Sequence, residues 1–466
     1  MTQLVWFRND LRTADNPALT AVCKTDDTVR ACYILTPDQW REHDWSPARV
    51  RFVIEHANAL AETLARLGIP MTFLYGRRFD DSLDLLLDHC REHGVTRIHF
   101  NEEYGINERR RDKTLKQRLA DLPVELCKYR DQTVAPVGDI RTGQGDPYSV
   151  FTPFARRWRS WIEENSPQPF PIPAARGDAI RPDLIEDIPE GFRDAPPALV
   201  KTGEDAAHDR LENFLQERAG AYKDQRDFPA IGGTSQLSPY LANGVLSGRQ
   251  CLLAARQAQG MGGNQEGLAT WTNEIAWRDF YIHILYHYPR VSMHQAFKPE
   301  TEALKWNTPG DNFEAWKEGR TGIPIVDAAM RQLNEIGWMH NRLRMITAMF
   351  LTKNLFIDWR LGEAYFMSKL VDGFLASNNG GWQWSASTGT DAAPYFRVFN
   401  PVTQSERFDP DGEFIRQWVP ELAKLDNKRI HDPGKGGVIP KGYPRPIVDL
   451  KASRKEAIAK FQELKN

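Results

Sequence analysis

The segment MTFLYGRRFDDSLDLLLDHCREHGVTRIHF, residues 71–100, decides the fold. Met71 to Tyr75 reads as a short strand, Asp81 to His93 as a helix closed by Gly94, and Val95 to Phe100 as the next strand. A strand that returns through a helix to another strand is the right-handed crossover of a parallel sheet. The same alternation runs outward on both sides. Leu4 to Phe7 and Val29 to Leu35 are strand-like, and Ser46-Pro47 supplies a cap followed by a first-turn proline. Val53, Ala57, Leu60, Leu64 and Leu67 then recur three and four residues apart before Gly68, which is one buried helix face. Asn107 to Ala120 is helical, with its charges outward. Residues 1–130 are expected to form an α/β domain with a doubly wound parallel sheet.

Beyond it the pattern changes. Ser166 to Val200 carries eight prolines, which block helix and central strand, so 131–205 is expected to be an extended interdomain linker. Residues 206–466 read as mainly helical, for example over Asp205–Arg218, Trp271–Tyr288, Pro324–Ile336 and Asn341–Leu355. The expected architecture is α/β followed by all-α.

Composition narrows the function. The chain has 466 residues, 41% hydrophobic and 26% charged, as in soluble proteins with large cores. Sixty basic against 62 acidic side chains give a formal charge of −2, so any polyanion must meet a local patch. Five scattered cysteines without a C-x-x-C pair read as reduced thiols, neither a disulfide nor a zinc framework. No apolar run is long enough for a transmembrane helix, and the N-terminus lacks a signal peptide. A cytoplasmic protein is the expectation. G-x-G-x-x-G, G-x-x-x-x-G-K-[ST] and H-E-x-x-H are all missing, so nothing supports a nicotinamide enzyme, a kinase or a metal centre. Fourteen tryptophans exceed what core packing usually requires and point to stacking surfaces or redox chemistry.

Four segments can carry chemistry. Gly232 to Leu241 joins two glycines, three hydroxyls and Pro239, which suits a phosphate site, although a plain helix cap is the commoner meaning of such a string. In Trp271 to Tyr281, Trp271, Glu274, Arg278 and Tyr281 share a helix face, with Trp277 beside Glu274 and Tyr281. That suits a stacked heterocycle with a polar edge; core plus a surface ion pair is the bland alternative. In Gly337 to Met345, Asn341, Arg344 and Met345 share a side, and Arg344 requires an anion, for which Asp372 is a candidate. His340 reads as a hydrogen-bonded core histidine. Asn378-Asn-Gly-Gly-Trp-Gln-Trp384 is expected to be a turn that lays amides against a flat ring.

These strings, with Asp327-Ala-Ala-Met-Arg-Gln-Leu333 and the opening Val5-Trp-Phe-Arg-Asn-Asp-Leu-Arg12, resemble the photolyase/cryptochrome family along essentially the whole chain. They are most similar to its microbial class I cyclobutane pyrimidine dimer photolyases. The resemblance implies a non-covalent FAD in the helical domain. Light then drives an electron from FADH⁻ to a dimer flipped out of DNA, splitting its cyclobutane ring. By the same resemblance, Tyr222, Thr234, Ser235, Gln236, Leu237 and Ser238 wrap the phosphates and ribityl chain. Trp271 and Arg278 line the pocket, Arg344 and Asp372 bracket the isoalloxazine, and Asn378 faces flavin N5. Trp277 and Trp384 wall the flipped dimer, Glu274 holds a thymine carbonyl, and Asn341 with Met345 completes the pocket. Members that repair (6-4) lesions carry two histidines at those last positions, so the cyclobutane substrate is implied. Arg226, Arg342, Arg397 and Gln404 take phosphates, and Trp382, Trp359 and Trp306 form an electron wire from flavin to surface.

Asn107 and Glu108, with His43 in a nearby loop, match the folate-contacting pair of members with a methenyltetrahydrofolate antenna. Met293 stands where those members have a lysine, so 8-hydroxy-5-deazaflavin is the second expectation. The rival function is a cryptochrome-like photoreceptor. Against it, the sequence closes at Asn466 soon after a helix over Ala452–Leu464, with no long regulatory tail. A light-independent flavin oxidoreductase would want a nicotinamide fingerprint. A monomer that works on damaged DNA is expected, without membrane or obligate protein partner.

Overall fold

The computed structural model describes residues 1–435 and 438–464, so the expected terminus at Asn466 lies outside the described residues. In chain order the elements are β1 Thr2–Phe7, α1 Pro17–Cys23, β2 Thr28–Leu35, α2 Pro37–Glu42, α3 Pro47–Arg66, β3 Met71–Tyr75, α4 Phe79–Glu92, β4 Val95–Asn101, α5 Ile106–Arg118 and β5 Glu125–Tyr129. Then come α6 Phe151–Asn165, α7 Glu204–Glu217, α8 Tyr222–Gln225, α9 Ser238–Ala242, α10 Gly248–Gly260 and α11 Gln265–His287. The chain continues through α12 Asp311–Lys317, α13 Pro324–Ile336, α14 Asn341–Met349, α15 Trp359–Met367, α16 Leu375–Ala386, α17 Pro401–Phe408, α18 Glu413–Trp418 and α19 Leu450–Glu463. They form two compact units: residues 1–220, 235–289 and 371–374 in the first, and 221–234, 290–370 and the described residues from Leu375 onward in the second.

The first unit holds a five-stranded sheet in the order β3-β2-β1-β4-β5, every neighbouring pair parallel. The strand–helix–strand reading of 71–100 is therefore met by β3, α4 and β4. Ser46 Oγ accepts from the Arg49 amide at 3.0 Å, and Pro47 opens α3, as the cap signal requires. Leu4, Trp6, Ile98 and Phe100 pack under Leu83, Leu86 and Leu87 of α4. The strand β5 escaped the sequence reading because its side chains are only half-buried and give no strong apolar run.

The proline-rich stretch from 166 to 200 contains neither helix nor strand. It lies along the sheet domain: the Asp15 amide donates to Phe170 O at 2.7 Å, Arg176 N to Leu67 O at 2.8 Å, and Ile180 N to Ala65 O at 3.0 Å. Upstream, however, residues 151–165 are the helix α6, where an extended linker was expected. Phe151, Phe154, Ala155, Trp158 and Ile162 bury one face of that helix, an amphipathic period that outweighs the neighbouring prolines.

In the second unit the core is built on α13, α14 and α16, with Met330, Leu333, Leu343, Ile346, Trp359 and Trp382 among its buried members. Two corrections belong here. The helix expected to run from Asn341 to Leu355 is α-helical only to Met349, and Phe350–Asn354 is a π-helical turn. It turns Lys353 inward, whose amine donates to Ala386 O at 3.1 Å and Ser387 Oγ at 2.8 Å. The string Asn378–Trp384 is not a turn but the middle of α16, because Ala376, Asn379, Trp382 and Gln383 are buried and packing overrides the helix-breaking bias of its glycines.

Candidate functional site

Chemistry-bearing side chains gather in two places in the first unit and along one wall of the second. The first place is a cleft at the carboxyl ends of β1, β2 and β4, where the strand order reverses, the usual ligand position in an open parallel sheet. Phe7, Arg8 and Asn9 enter it from β1, Ile34 and Thr36 from β2, and Glu103 and Glu108 from beyond β4. Aromatic faces line it. Trp40 stacks on Trp45 at 5.3 Å, Arg49 lies 3.7 Å over Trp45, and Arg111 lies 4.8 Å over both Trp6 and Phe79. Burial pushes the Glu103 carboxyl up to about 7, against the pull of Arg8. The sequence-expected trio meets here. His43 Nε2 accepts from Asn107 Nδ2 at 3.0 Å and from Gln39 Nε2 at 3.2 Å, which leaves the ring proton on Nδ1, 3.8 Å from Glu108 Oε1.

The second place is α11 and the loop ahead of α9. Trp277 stacks face to face on Phe151 at 3.5 Å, with Tyr281 5.6 Å away, so its plane is fixed. Glu274 is half-exposed on the same helix, whereas Trp271 is buried against Phe214 at 5.3 Å. Arg278 donates to Gln132 O and, at 3.2 Å, to Leu241 O. Burial lowers its pKa against the pull of Asp279 and Asp131. Ser235, Gln236 and Ser238 are half-exposed and Leu237 is buried; Gln236 takes a left-handed φ of 51° and its Oε1 accepts from Arg210 at 3.1 Å. The helix α9 is one turn long, so its dipole adds little, and hydroxyls would do most of the binding. Asp372 is buried in this unit.

The wall of the second unit is α14, α15 and α16. Asn341 is exposed and Arg344 and Met345 are half-buried on α14, and the Arg344 Nε–H donates to Met339 O at 2.8 Å. His340 is the N-cap of α14: its Nδ1 accepts from the Arg342 amide at 3.2 Å, and burial holds its pKa down at about 4. On α16, Asn378 Nδ2 donates to Glu363 O at 3.0 Å, which fixes the orientation of the amide and leaves its oxygen as an acceptor. Asn379 Nδ2 donates to Glu363 Oε1 at 2.9 Å, and Gln383 Nε2 to Asn379 Oδ1 at 2.9 Å. Trp382 and Trp359 are almost wholly buried, 2% and 1% exposed, while Trp306 is half-buried and lies 4.8 Å from Phe356. A Cβ at Gly362 would overlap the Trp382 ring, so the missing side chain is what lets that ring lie on α15. Trp384 is half-exposed.

Basic side chains rim this unit. Arg342 Nη2 pairs with Asp227 Oδ2 at 2.8 Å and its guanidinium lies 4.3 Å over Phe408. Arg226 lies 3.8 Å from Asp227 Oδ1 and 5.5 Å over the ring of buried Tyr222. Thr234 and Gln404 are half-exposed and Arg397 exposed.

Sequence reasoning missed Glu363 and Asp227, which orient the residues it did find, and the aromatic walls of the cleft. Glu363 holds Asn378 and Asp227 holds Arg342 from a different element, and no spacing within one segment signals that. Asp327, quoted within a motif, proves a structural anchor: it accepts from Thr321 N, Thr321 Oγ1, Gly322 N and Tyr443 OH at 2.6–3.0 Å.

A family model described as the FAD binding domain of DNA photolyase matches residues 271–463, and one described as DNA photolyase matches 3–174. The deoxyribodipyrimidine photo-lyase of Salmonella typhimurium is 47% identical over 99% of this chain and 98% of that protein. That of Escherichia coli is 45% identical with the same coverage. Among solved structures, a class III photolyase from Agrobacterium tumefaciens superposes with a TM-score of 0.88 at 35% identity, covering 100% of this chain and 98% of that one. A cryptochrome from Synechocystis gives 0.87 at 28%, covering 98% of each.

Proposed function

The chain belongs to the DNA photolyase family, and from that premise we propose that it is a light-dependent carbon–carbon lyase that splits cyclobutane pyrimidine dimers in DNA. The observation that carries this reading is the packing of α16 against both α14 and α15, the helices that bear Arg344, Trp359, Asn378 and Trp382. The donor set suits a flavin dinucleotide: Arg278 offers a buried guanidinium, Ser235 and Ser238 offer hydroxyls, and the Asn378 oxygen accepts without adding a negative charge. When bound, FAD in its reduced form supplies the photoexcited electron.

The chain's own residues then divide the work. Tyr222, Thr234, Ser235, Gln236, Leu237 and Ser238 wrap the cofactor's phosphates and ribityl chain, Trp271 and Arg278 line the same pocket, and Arg344 with Asp372 brackets its ring. Asn378 orients its oxygen through Glu363, while Trp382, Trp359 and Trp306 carry charge from buried to half-buried ground. Trp277, pinned by Phe151, and Trp384 offer flat faces to an extruded dimer, which costs less to unstack than an intact pair. Glu274 holds a carbonyl of the dimer, and Asn341 with Met345 completes the pocket. Arg226, Arg342, Arg397 and Gln404 meet phosphates, a local answer to a net charge of −2.

For the antenna, the cleft beyond β1, β2 and β4 suits a flat heterocycle, with Asn107 and Glu108 at its edge; methenyltetrahydrofolate is the first assignment and 8-hydroxy-5-deazaflavin the second. No described helix is long and apolar enough to cross a membrane. A cytoplasmic, monomeric enzyme associated with the nucleoid through DNA completes the proposal.

The likeness to a cryptochrome fold makes a flavin photoreceptor the second reading. The deciding experiment is repair of a dimer-containing oligonucleotide by the flavin-reduced protein under blue light and in darkness. Repair in light alone is expected. Equal repair in darkness, or none in light, overturns the assignment.

A further inference from the structure

His89, Glu92 and His93 sit at the carboxyl end of α4, away from every residue assigned above. One ligand atom from each lies within 4.8 Å of the other two. The spacing His-x-x-Glu-His, the reverse of the H-E-x-x-H order sought in the sequence, sets the imidazoles one helical turn apart on a single face. The two rings lie 4.4 Å apart. His89 is 4% exposed and its Nε2 has no hydrogen-bond partner, which is costly for a buried ring nitrogen.

The surroundings favour a cation on two counts and oppose it on one. The last carbonyls of α4 and the Glu92 carboxylate supply negative charge, whereas Arg30 of β2 supplies positive. Glu92 is exposed and His93 half-buried, so an ion can reach the site from solvent.

We propose that His89, Glu92 and His93 bind one borderline divalent transition-metal ion of the zinc class, with water completing its coordination. Two imidazoles and one carboxylate are the donor set such ions prefer over magnesium or calcium. The ion ties the C-cap residue His93 back to the buried His89, and so fastens the end of the helix that leads into β4.

The test uses the full chain, produced without a polyhistidine tag and stripped with chelator, titrated with ZnCl₂ by calorimetry and followed by thermal melting. One equivalent of Zn²⁺ should bind and raise the melting temperature, and MgCl₂ should do neither. His93→Ala and Glu92→Gln remove accessible side chains, so their metal-free melting should match the parent. His93→Ala should weaken Zn²⁺ at least ~10-fold, and Glu92→Gln should weaken it less. Absence of Zn²⁺ binding, or equal binding by the parent and His93→Ala, overturns the site.

Discussion

Asp227 holds the Arg342 guanidinium at 2.8 Å and stands 3.8 Å from Arg226, so two cations of the basic rim share one anion. The carboxylate fixes their direction and cancels half their charge. Two substitutions should therefore act in opposite senses. Arg342→Ala removes the phosphate contact proposed for that residue and should flatten the dependence of log Kd on log salt by about one unit, weakening damaged and undamaged DNA alike. Asp227→Asn uncovers a positive charge and should steepen the same slope. Fluorescence anisotropy over a salt series measures both, and a common sign for the two variants would remove Arg342 from the DNA interface.

Trp306, half-buried, is proposed as the outer end of a tryptophan series whose other members, Trp382 and Trp359, are buried. Trp306→Phe should slow photoreduction of oxidised flavin by an order of magnitude, yet leave repair by already reduced protein nearly unchanged. Parallel losses in both assays would show that Trp306 serves packing rather than charge transport.

Gly362 allows a geometric test of the same series. Its missing side chain is the space that the Trp382 ring fills, so Gly362→Ala must push the ring off α15. Overpacking of this kind costs about 1–3 kcal/mol. The variant should melt lower and photoreduce more slowly although every tryptophan remains. Unchanged photoreduction in a destabilised variant would mean that the position of Trp382 is not critical.

The α/β half was readable because β3, α4 and β4 each carry an unbroken periodic signal, and Pro47, Gly68 and Gly94 punctuate it. What failed to read was set by distant contacts. The turn expected at 378–384 is helical since burial of Trp382 and Gln383 outweighs the glycines between their neighbours. The end of α14 became a π turn because Lys353 finds acceptors on Ala386 and Ser387, more than thirty residues away. In the site, side chains on one helix face such as Asn341, Arg344 and Met345 could be grouped from spacing, but Glu363 and Asp227 could not. Asn378 and Arg342, which they hold, come from other elements.

Glu108 tests the antenna cleft. Together with Asn107 it fixes His43, whose ring proton faces it. Glu108→Ala should strip the second chromophore, seen as loss of its near-UV band in material released from the purified protein, with the flavin content intact. Repair should fall in dim light and recover under saturating light, since only photon capture is lost. Loss of flavin instead would place Glu108 outside the antenna site.

Asp279 anchors α11 to the chain after β5: its Oδ2 accepts from Val134 N at 2.9 Å, Ala135 N at 3.2 Å and Trp158 Nε1 at 2.8 Å, while Oδ1 is buried without a partner. Burial pushes its carboxyl up to about 6 from an ordinary 3.8, against the pull of Arg278 and those donors. The raised value means that the folded state holds the proton more tightly than the unfolded chain does. Its contribution to stability is therefore complete below pH 4 and disappears as pH climbs through 6, a change of about 3 kcal/mol. Asp279→Asn keeps an acceptor for the three donors and cannot ionise, so the parent should lose melting temperature relative to this variant between pH 4 and 6, and the gap should then hold steady. Asp279→Ala orphans the Trp158 indole and two amides and should melt lower at every pH. Parallel pH curves for the parent and Asp279→Asn would show that the buried carboxyl titrates like an exposed one.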